Sequence, residues 1–226
     1  MEVIKNAMKI AIIGGTGKEG KGLAFCWAKA GHHVIIGSRT LEKAQTAAGE
    51  LMSLLPFDIH LEAMENDAAV KECDLAVITV PYTAHKATLE LLKPHLKGKI
   101  LIDVTVPLHP PKVTRVSMPP EGSAAQEAQS ILGEDTRVVA AFQNISYENL
   151  MKDEAPMCDV LVCGNGKEAR QIVLGLVADA GLIGWDAGVI ENAVVVEGLA
   201  SILIGLNIQH KVHSTGIRIT GIEKAR

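Results

Sequence analysis

Residues 11–22, AIIGGTGKEGKG, run from an apolar segment into five glycines within nine positions. Gly15-x-Gly17-x-x-Gly20 follows a strand-like run and opens a helix-like one, and this context suits a dinucleotide. Gly15 permits the tight turn, Gly17 lets the main chain approach a pyrophosphate, and Gly20 lets the helix pack closely on the strand. The free N–H groups and partial positive charge of the helix start then face the phosphates. The bare backbone leaves room for an anion.

The next apolar run indicates which dinucleotide. A site selective for NAD carries Asp or Glu roughly 20 residues on, bonded to the ribose 2′-hydroxyl. Here the run ends VIIGSRTLEK, with no carboxylate to repel a 2′-phosphate. Ser38 offers a hydroxyl, Arg39 a planar fork and Lys43 a further cation one helical turn on. Cations at a helix N-terminus oppose its dipole and call for an anionic partner, so the expected cofactor is NADP. Thr79, Val80, Pro81 and Tyr82 end the fourth strand, and Val104, Thr105, Val106 and Pro107 end the fifth. Doubly wound sheets bind ligands at such carboxyl ends, so these residues, Thr79, Val80, Pro81 and Val104 first among them, are expected at the nicotinamide. The alternative for the two prolines is that they only stop the strands.

Short β-branched runs alternate with helical stretches. MKIAII precedes a helix over 20–30, HHVII one over 41–54, and LAVITV one over 84–92. KILIDV, a helix near 123–131 and RVVAAF continue the series. The pattern predicts an α/β protein with a Rossmann-type, doubly wound parallel sheet, because parallel neighbours need helical crossovers on both faces. After Phe142 the rhythm weakens, then resumes with DVLVCG, a helix over 167–180, IGWD and a long apolar helix. The expected division is an NADP-binding domain over 1–142 and a small C-terminal α/β domain over 143–226 for substrate and dimerisation.

The 226 residues are 48% apolar, enough for a full core, and the formal charge is −4 with no Lys/Arg run. Nucleic acid and anionic membrane both require a cationic field, so neither is an expected partner. Cys26, Cys73, Cys158 and Cys163 lack C-x-x-C spacing and read as reduced, buried thiols. Cys158 and Cys163, at odd spacing on one strand, fall on opposite faces. MEVIKNAMKI lacks the apolar stretch of a secretory signal, and Glu191, Asn192, Glu197 and Asn207 interrupt residues 189–208 too often for a membrane span. The expected location is cytoplasmic.

Catalytic constellations are sparse. Tyr82-x-x-x-Lys86 imitates the Tyr/Lys pair of short-chain dehydrogenases, but it follows the fourth strand where that family needs the fifth. His210 and His213 share a helical face without a third ligand, so no metal site is expected. No catalytic side chain is assigned, and the chemistry is left to the cofactor and its partner.

KIAIIGGTGKEGKGLA, GSRTLEKA, CDLAVITVP, EGSAAQEAQ and VVAAF together resemble the NADPH-dependent reductases of the deazaflavin coenzyme F420, in order and over nearly the whole chain. The resemblance implies that Thr16, Gly17, Lys18 and Glu19 form the pyrophosphate loop. It further implies that Ser38, Arg39 and Lys43 clamp the 2′-phosphate and that Val80 and Pro81 wall the nicotinamide. The activity implied is hydride transfer between nicotinamide C4 and deazaflavin C5 across a cleft between the two domains. Such a step needs two rings held close in a dry pocket more than a protein acid or base. Where archaeal members carry His-Thr-Ile-Pro, this chain has Gln143, Asn144, Ile145 and Ser146. Gln143, Asn144 and Ile145 are the expected acceptor contacts, or else the two amides cap the helix around Tyr147. Loss of the His leaves an ordinary flavin or another small acceptor open, as well as a non-catalytic NADP-sensing module. The apolar helix is expected to join a homodimer, with STGIRITGI at the rim of the acceptor cleft, or else to be buried within one subunit.

Overall fold

The computed structural model describes residues 7–151 and 158–222. The apolar runs become eight strands: β1 (Lys9–Ile13), β2 (His33–Ser38), β3 (Glu62–Glu65), β4 (Leu75–Ile78), β5 (Ile100–Asp103), β6 (Arg137–Ala140), β7 (Asp159–Gly164) and β8 (Ile183–Asp186). They make one sheet in the order β3-β2-β1-β4-β5-β6-β7-β8. Neighbours pair parallel from β3 through β6 and again between β7 and β8. Only β6 and β7 pair antiparallel, through Val139 with Gly164 and Ala140 with Cys163. The doubly wound, mostly parallel sheet expected from the sequence thus carries one antiparallel pairing at this seam. Among the described residues between β6 and β7, the helix is the four-residue α6 (Tyr147–Leu150), too short for the crossover that a parallel neighbour needs. The domain boundary expected at residue 142 falls on this seam.

Strand residues buried on both sides require a layer of helix on each. Ile10, Ile12, Val34, Ile36, Leu75, Val77, Ile100 and Ile102 face α1 (Lys18–Lys29), α2 (Leu41–Met52) and α7 (Lys167–Asp179). Ala11, Ile13, Ile35, Ala76, Ile78, Leu101 and Val138 face α3 (Asn66–Glu72), α4 (Tyr82–Leu96), α5 (Ala124–Leu132) and α8 (Ala193–His210). Cys158 belongs to the first layer and Cys163 to the second, as their spacing requires. Trp27 anchors the first layer: its ring stands edge-on to Phe142 at 5.8 Å, and its Nε1–H donates to the Leu176 carbonyl at 2.8 Å.

Several bounds move. α1 starts at Lys18 rather than residue 20, because Gly17 already serves as its N-cap. α4 starts at Tyr82, just after Pro81, and continues past Pro94 to Leu96, and α2 stops at Met52. β4 ends at Ile78 and β5 at Asp103, so Thr79–Pro81 and Val104–Pro107 are loop. The short pair β3 and α3 had no predicted bounds. At the amino end of α5 the Ser123 hydroxyl accepts the Gln126 N–H at 3.1 Å, a conventional cap.

Candidate active site at the carboxyl ends of the parallel strands

The loops after β1, β2, β4 and β5 enclose a cavity of about 690 Å³. Gly14, Thr16, Gly17 and Glu19 line it from the first loop, Ser38, Arg39 and Lys43 from the second, Thr79, Val80, Pro81 and Tyr82 from the third, and Val104, Thr105 and Val106 from the fourth. A second cavity of the same volume lies at the amino end of β6, around Gln129, Arg137 and Asn165. It lacks the glycine loop and the free cations that distinguish the first.

The left-handed residue of the turn is Gly14, with φ of +74°, where an added Cβ would lie 2.7 Å from Val80. Gly15 N–H reaches both the Ile12 and Gly37 carbonyls, at 3.1 and 2.9 Å. An added Cβ at Gly20 would strike Gly15 Cα at 2.7 Å, so this glycine is the close helix-to-loop contact. At Gly17 the nearest atom would be 3.6 Å away, leaving the main chain open on that side. The first helical bond of α1 runs from Lys21 N–H to the Gly17 carbonyl, and no side chain caps the end. The preceding N–H groups therefore remain as donors for an anion. Gly14 N–H is held by Asn66 Oδ1 at 3.3 Å, a contact from α3 with no signal in the sequence.

Ser38 is buried, whereas Arg39 and Lys43 are exposed on the same wall, and neither cation has an ion-pair partner among the described residues. Lys18 behaves differently. Its Nζ donates to Tyr147 Oη at 2.9 Å, 4.7 Å from the ring centroid, and it is not part of the cavity wall. Glu19 turns the other way: it lines the cavity, its Oε1 is buried without a partner, and burial pushes its carboxyl up to about 8. Thr105 Oγ1 is likewise buried without a partner on that wall.

Gln143, Asn144 and Ile145 are buried and do not line the cavity. Phe142, at φ of +73°, turns the chain inward. Gln143 Nε2 then donates to the Asp103 carbonyl and Asn144 Nδ2 to the Asp159 carbonyl, both at 2.7 Å. They act as struts beneath the loop. Neither side chain caps α6, whose N-cap is Ser146. His210 and His213 are exposed near the end of α8.

Behind the loops after β4 and β5 lies a cluster of titratable side chains that the sequence did not reveal. His85 and Asp103 are wholly buried and meet at 2.8 Å, Nε2 to Oδ2, while His85 Nδ1 lies 3.4 Å from Glu127 Oε2. Burial pulls the imidazole down, but the two carboxylates outweigh it and hold the group above its ordinary value. Glu197 of α8, also wholly buried, accepts the Ala124 and Ala125 N–H groups at 2.7 and 3.0 Å. Burial and the nearby Asp103 charge raise its carboxyl to about 8.

A family model described as NADP oxidoreductase, coenzyme F420-dependent, matches residues 9–107. The F420-dependent NADP reductase of Methanocaldococcus jannaschii is 42% identical over 224 residues, covering 96% of this chain and 100% of that protein. The chain belongs to this family. Among solved structures, a chain from Arthrobacter sp. FB24 described as a candidate F420-dependent NADP reductase superposes with a TM-score of 0.81 at 25% identity, over 95% of this chain and all of that one. The human metalloreductase STEAP2 is 28% identical over 200 residues, which are 87% of this chain and 37% of that protein. Likeness to the F420-dependent reductases thus extends past β6, through the struts, the tail and α8.

Proposed function

We propose that this protein transfers a hydride between NADP(H) and the deazaflavin coenzyme F420. The observation that carries the reading is the end-to-end identity of 42% with an F420-dependent NADP reductase. The residues fit the two ligands. The uncapped start of α1 offers N–H donors to a diphosphate, and Gly17 leaves the approach open. Ser38, Arg39 and Lys43 supply a hydroxyl, a planar fork and an ammonium for a 2′-phosphate. Thr79, Val80, Pro81 and Val104 form the wall for the nicotinamide, and the unpartnered Thr105 Oγ1 is a hydrogen-bonding position for its carboxamide.

When bound, the nicotinamide supplies the hydride chemistry. The chain's part is to align the rings, exclude water and hold charge complementary to the phosphates. In the direction of F420 reduction the acceptor takes the hydride and one proton, and NADPH leaves as NADP. Residues 1–142 serve the nucleotide and 143–226 the acceptor. Gln143 and Asn144 shape the acceptor side from below, because their donors are already committed to main-chain carbonyls. α8 leaves Val195, Ile202 and Leu206 exposed at helical spacing, and this stripe is the proposed homodimer contact. A cytoplasmic location is part of the same reading.

The test is direct. NADPH mixed with oxidised F420 is expected to bleach the deazaflavin chromophore, while FMN and FAD remain unchanged. Turnover with a flavin alone would replace the acceptor, and NADPH binding without turnover on any acceptor would leave a sensor. Arg39→Ala is expected to weaken NADPH binding by about ten- to hundredfold and NADH hardly at all. Equal losses would remove Arg39 from the clamp.

A further inference from the structure

Asp103 is the last residue of β5 and is wholly buried, yet its polar contacts reach three different segments. Its Oδ1 accepts the Thr105 N–H at 2.9 Å, fixing the loop that walls the cavity. Its main-chain carbonyl accepts Gln143 Nε2 at 2.7 Å, fixing the strut of the other half. Its Oδ2 meets His85 Nε2 at 2.8 Å, and the far side of that ring faces Glu127. A neutral imidazole has one N–H and cannot donate to two carboxylates, so this geometry calls for the doubly protonated ring. The titratable groups around it are Asp103 from β5, Glu127 from α5 and Glu197 from α8, with the Tyr82 ring at 6.0 Å on its own helix.

We infer that Asp103 is a positioning residue for hydride transfer, held by His85, which fixes the spacing between the nicotinamide wall at Val104–Val106 and the acceptor-side strut at Gln143. The inference rests on the proposed hydride transfer. A ring-to-ring step is steep in distance, and a small misplacement far from the reacting atoms lowers the rate without loosening the phosphates. Those phosphates are gripped at the other end of the cavity, by the start of α1 and by Arg39 and Lys43. Binding and chemistry should therefore separate when Asp103 is changed.

The experiment uses the full chain with Asp103→Asn, which keeps the shape and a hydrogen-bonding oxygen for Thr105 but removes the charge facing His85. The dissociation constant for NADPH is expected to stay within about threefold while kcat with F420 falls about tenfold or more, with a larger primary isotope effect from 4-deuterated NADPH. His85→Gln is expected to shift the same quantities in the same direction. NADPH affinity lost in step with kcat, or an unchanged kcat, overturns the inference. Amide exchange provides an arm that needs no turnover: in Asp103→Asn, peptides covering 104–108 and 141–146 should lose protection together. If only one segment loosens, Asp103 does not join them. Absence of turnover in the unmodified chain would instead overturn the F420 reading, and the exchange result would still decide the inference.

Discussion

Glu19 places a carboxyl on the wall of the cavity proposed to hold the dinucleotide phosphates, where a negative charge is least welcome. Its Oε1 is buried without a partner, and its carboxyl is raised from 4.5 to about 8, so it is held neutral at pH 7. The folded chain keeps this proton where the unfolded chain has released it. The associated stability is fully present below about 4.5 and is lost as the pH climbs through about 8. Glu19→Gln keeps the shape and removes the titration. Thermal melts from pH 5 to 9 should show the variant gaining on the unmodified chain by about 2–4 kcal/mol across that range; parallel curves would show that Glu19 does not titrate on unfolding. The glycines and the Ser38, Arg39 and Lys43 set were legible because each answers a local demand, such as a bare turn or a missing carboxylate. Lys18, Gln143 and Asn144 were not, because their partners Tyr147, Asp103 and Asp159 are set by tertiary placement. His85 was passed over for the same reason: its carboxylate neighbours are 18 and 42 residues away.

Among the elements, α8 shows what period and composition can and cannot convey. It is apolar around most of its circumference, and residues 190–210 are long and apolar enough to cross a membrane by that measure alone. In the fold, Ala193, Val196, Ala200 and Leu203 are buried, while Val195 and Ile202 are 62% and 52% exposed. Ile202→Glu places a charge in the middle of the exposed stripe without touching the core. If the proposed dimer forms through this stripe, light scattering after gel filtration should show it converting to monomer with the melting temperature of the monomer unit preserved; an unchanged mass would remove the stripe from the interface. β3 escaped prediction because EAME has only two apolar side chains, both half-buried, and sits at the sheet edge. The strands buried on both faces were read easily, since continuous β-branched runs have no competing helical period.

For the molecule as a whole, the division of function proposed at residue 142 does not interrupt the sheet. β6 and β7 pair across it, and Trp27 of α1 reaches the Leu176 carbonyl of α7 on the far side. Calorimetry is expected to give one cooperative transition. Trp27→Ala, which removes a fully buried indole, its hydrogen bond and its edge contact with Phe142, should cost about 3–5 kcal/mol. Two separated transitions in the unmodified chain would mean that the halves fold alone.

The reversal at β7 has an outcome for which parts of the second half can ever touch a bound acceptor. Because β7 and β8 run opposite to β1 through β6, the turns leaving them open away from the proposed nucleotide site. Among the described residues of that half, the stretch following Phe142, α8 and the tail near 213–219 come back to the working end, where Asp159 N–H meets the Ile217 carbonyl, Ser146 Oγ meets that of His213, and Glu197 of α8 accepts the Ala124 and Ala125 N–H groups. In the proposed reaction, acceptor preference would thereby rest on these returning segments. The turns after β7 and β8 leave the sheet at its opposite end and so stand clear of the proposed reaction.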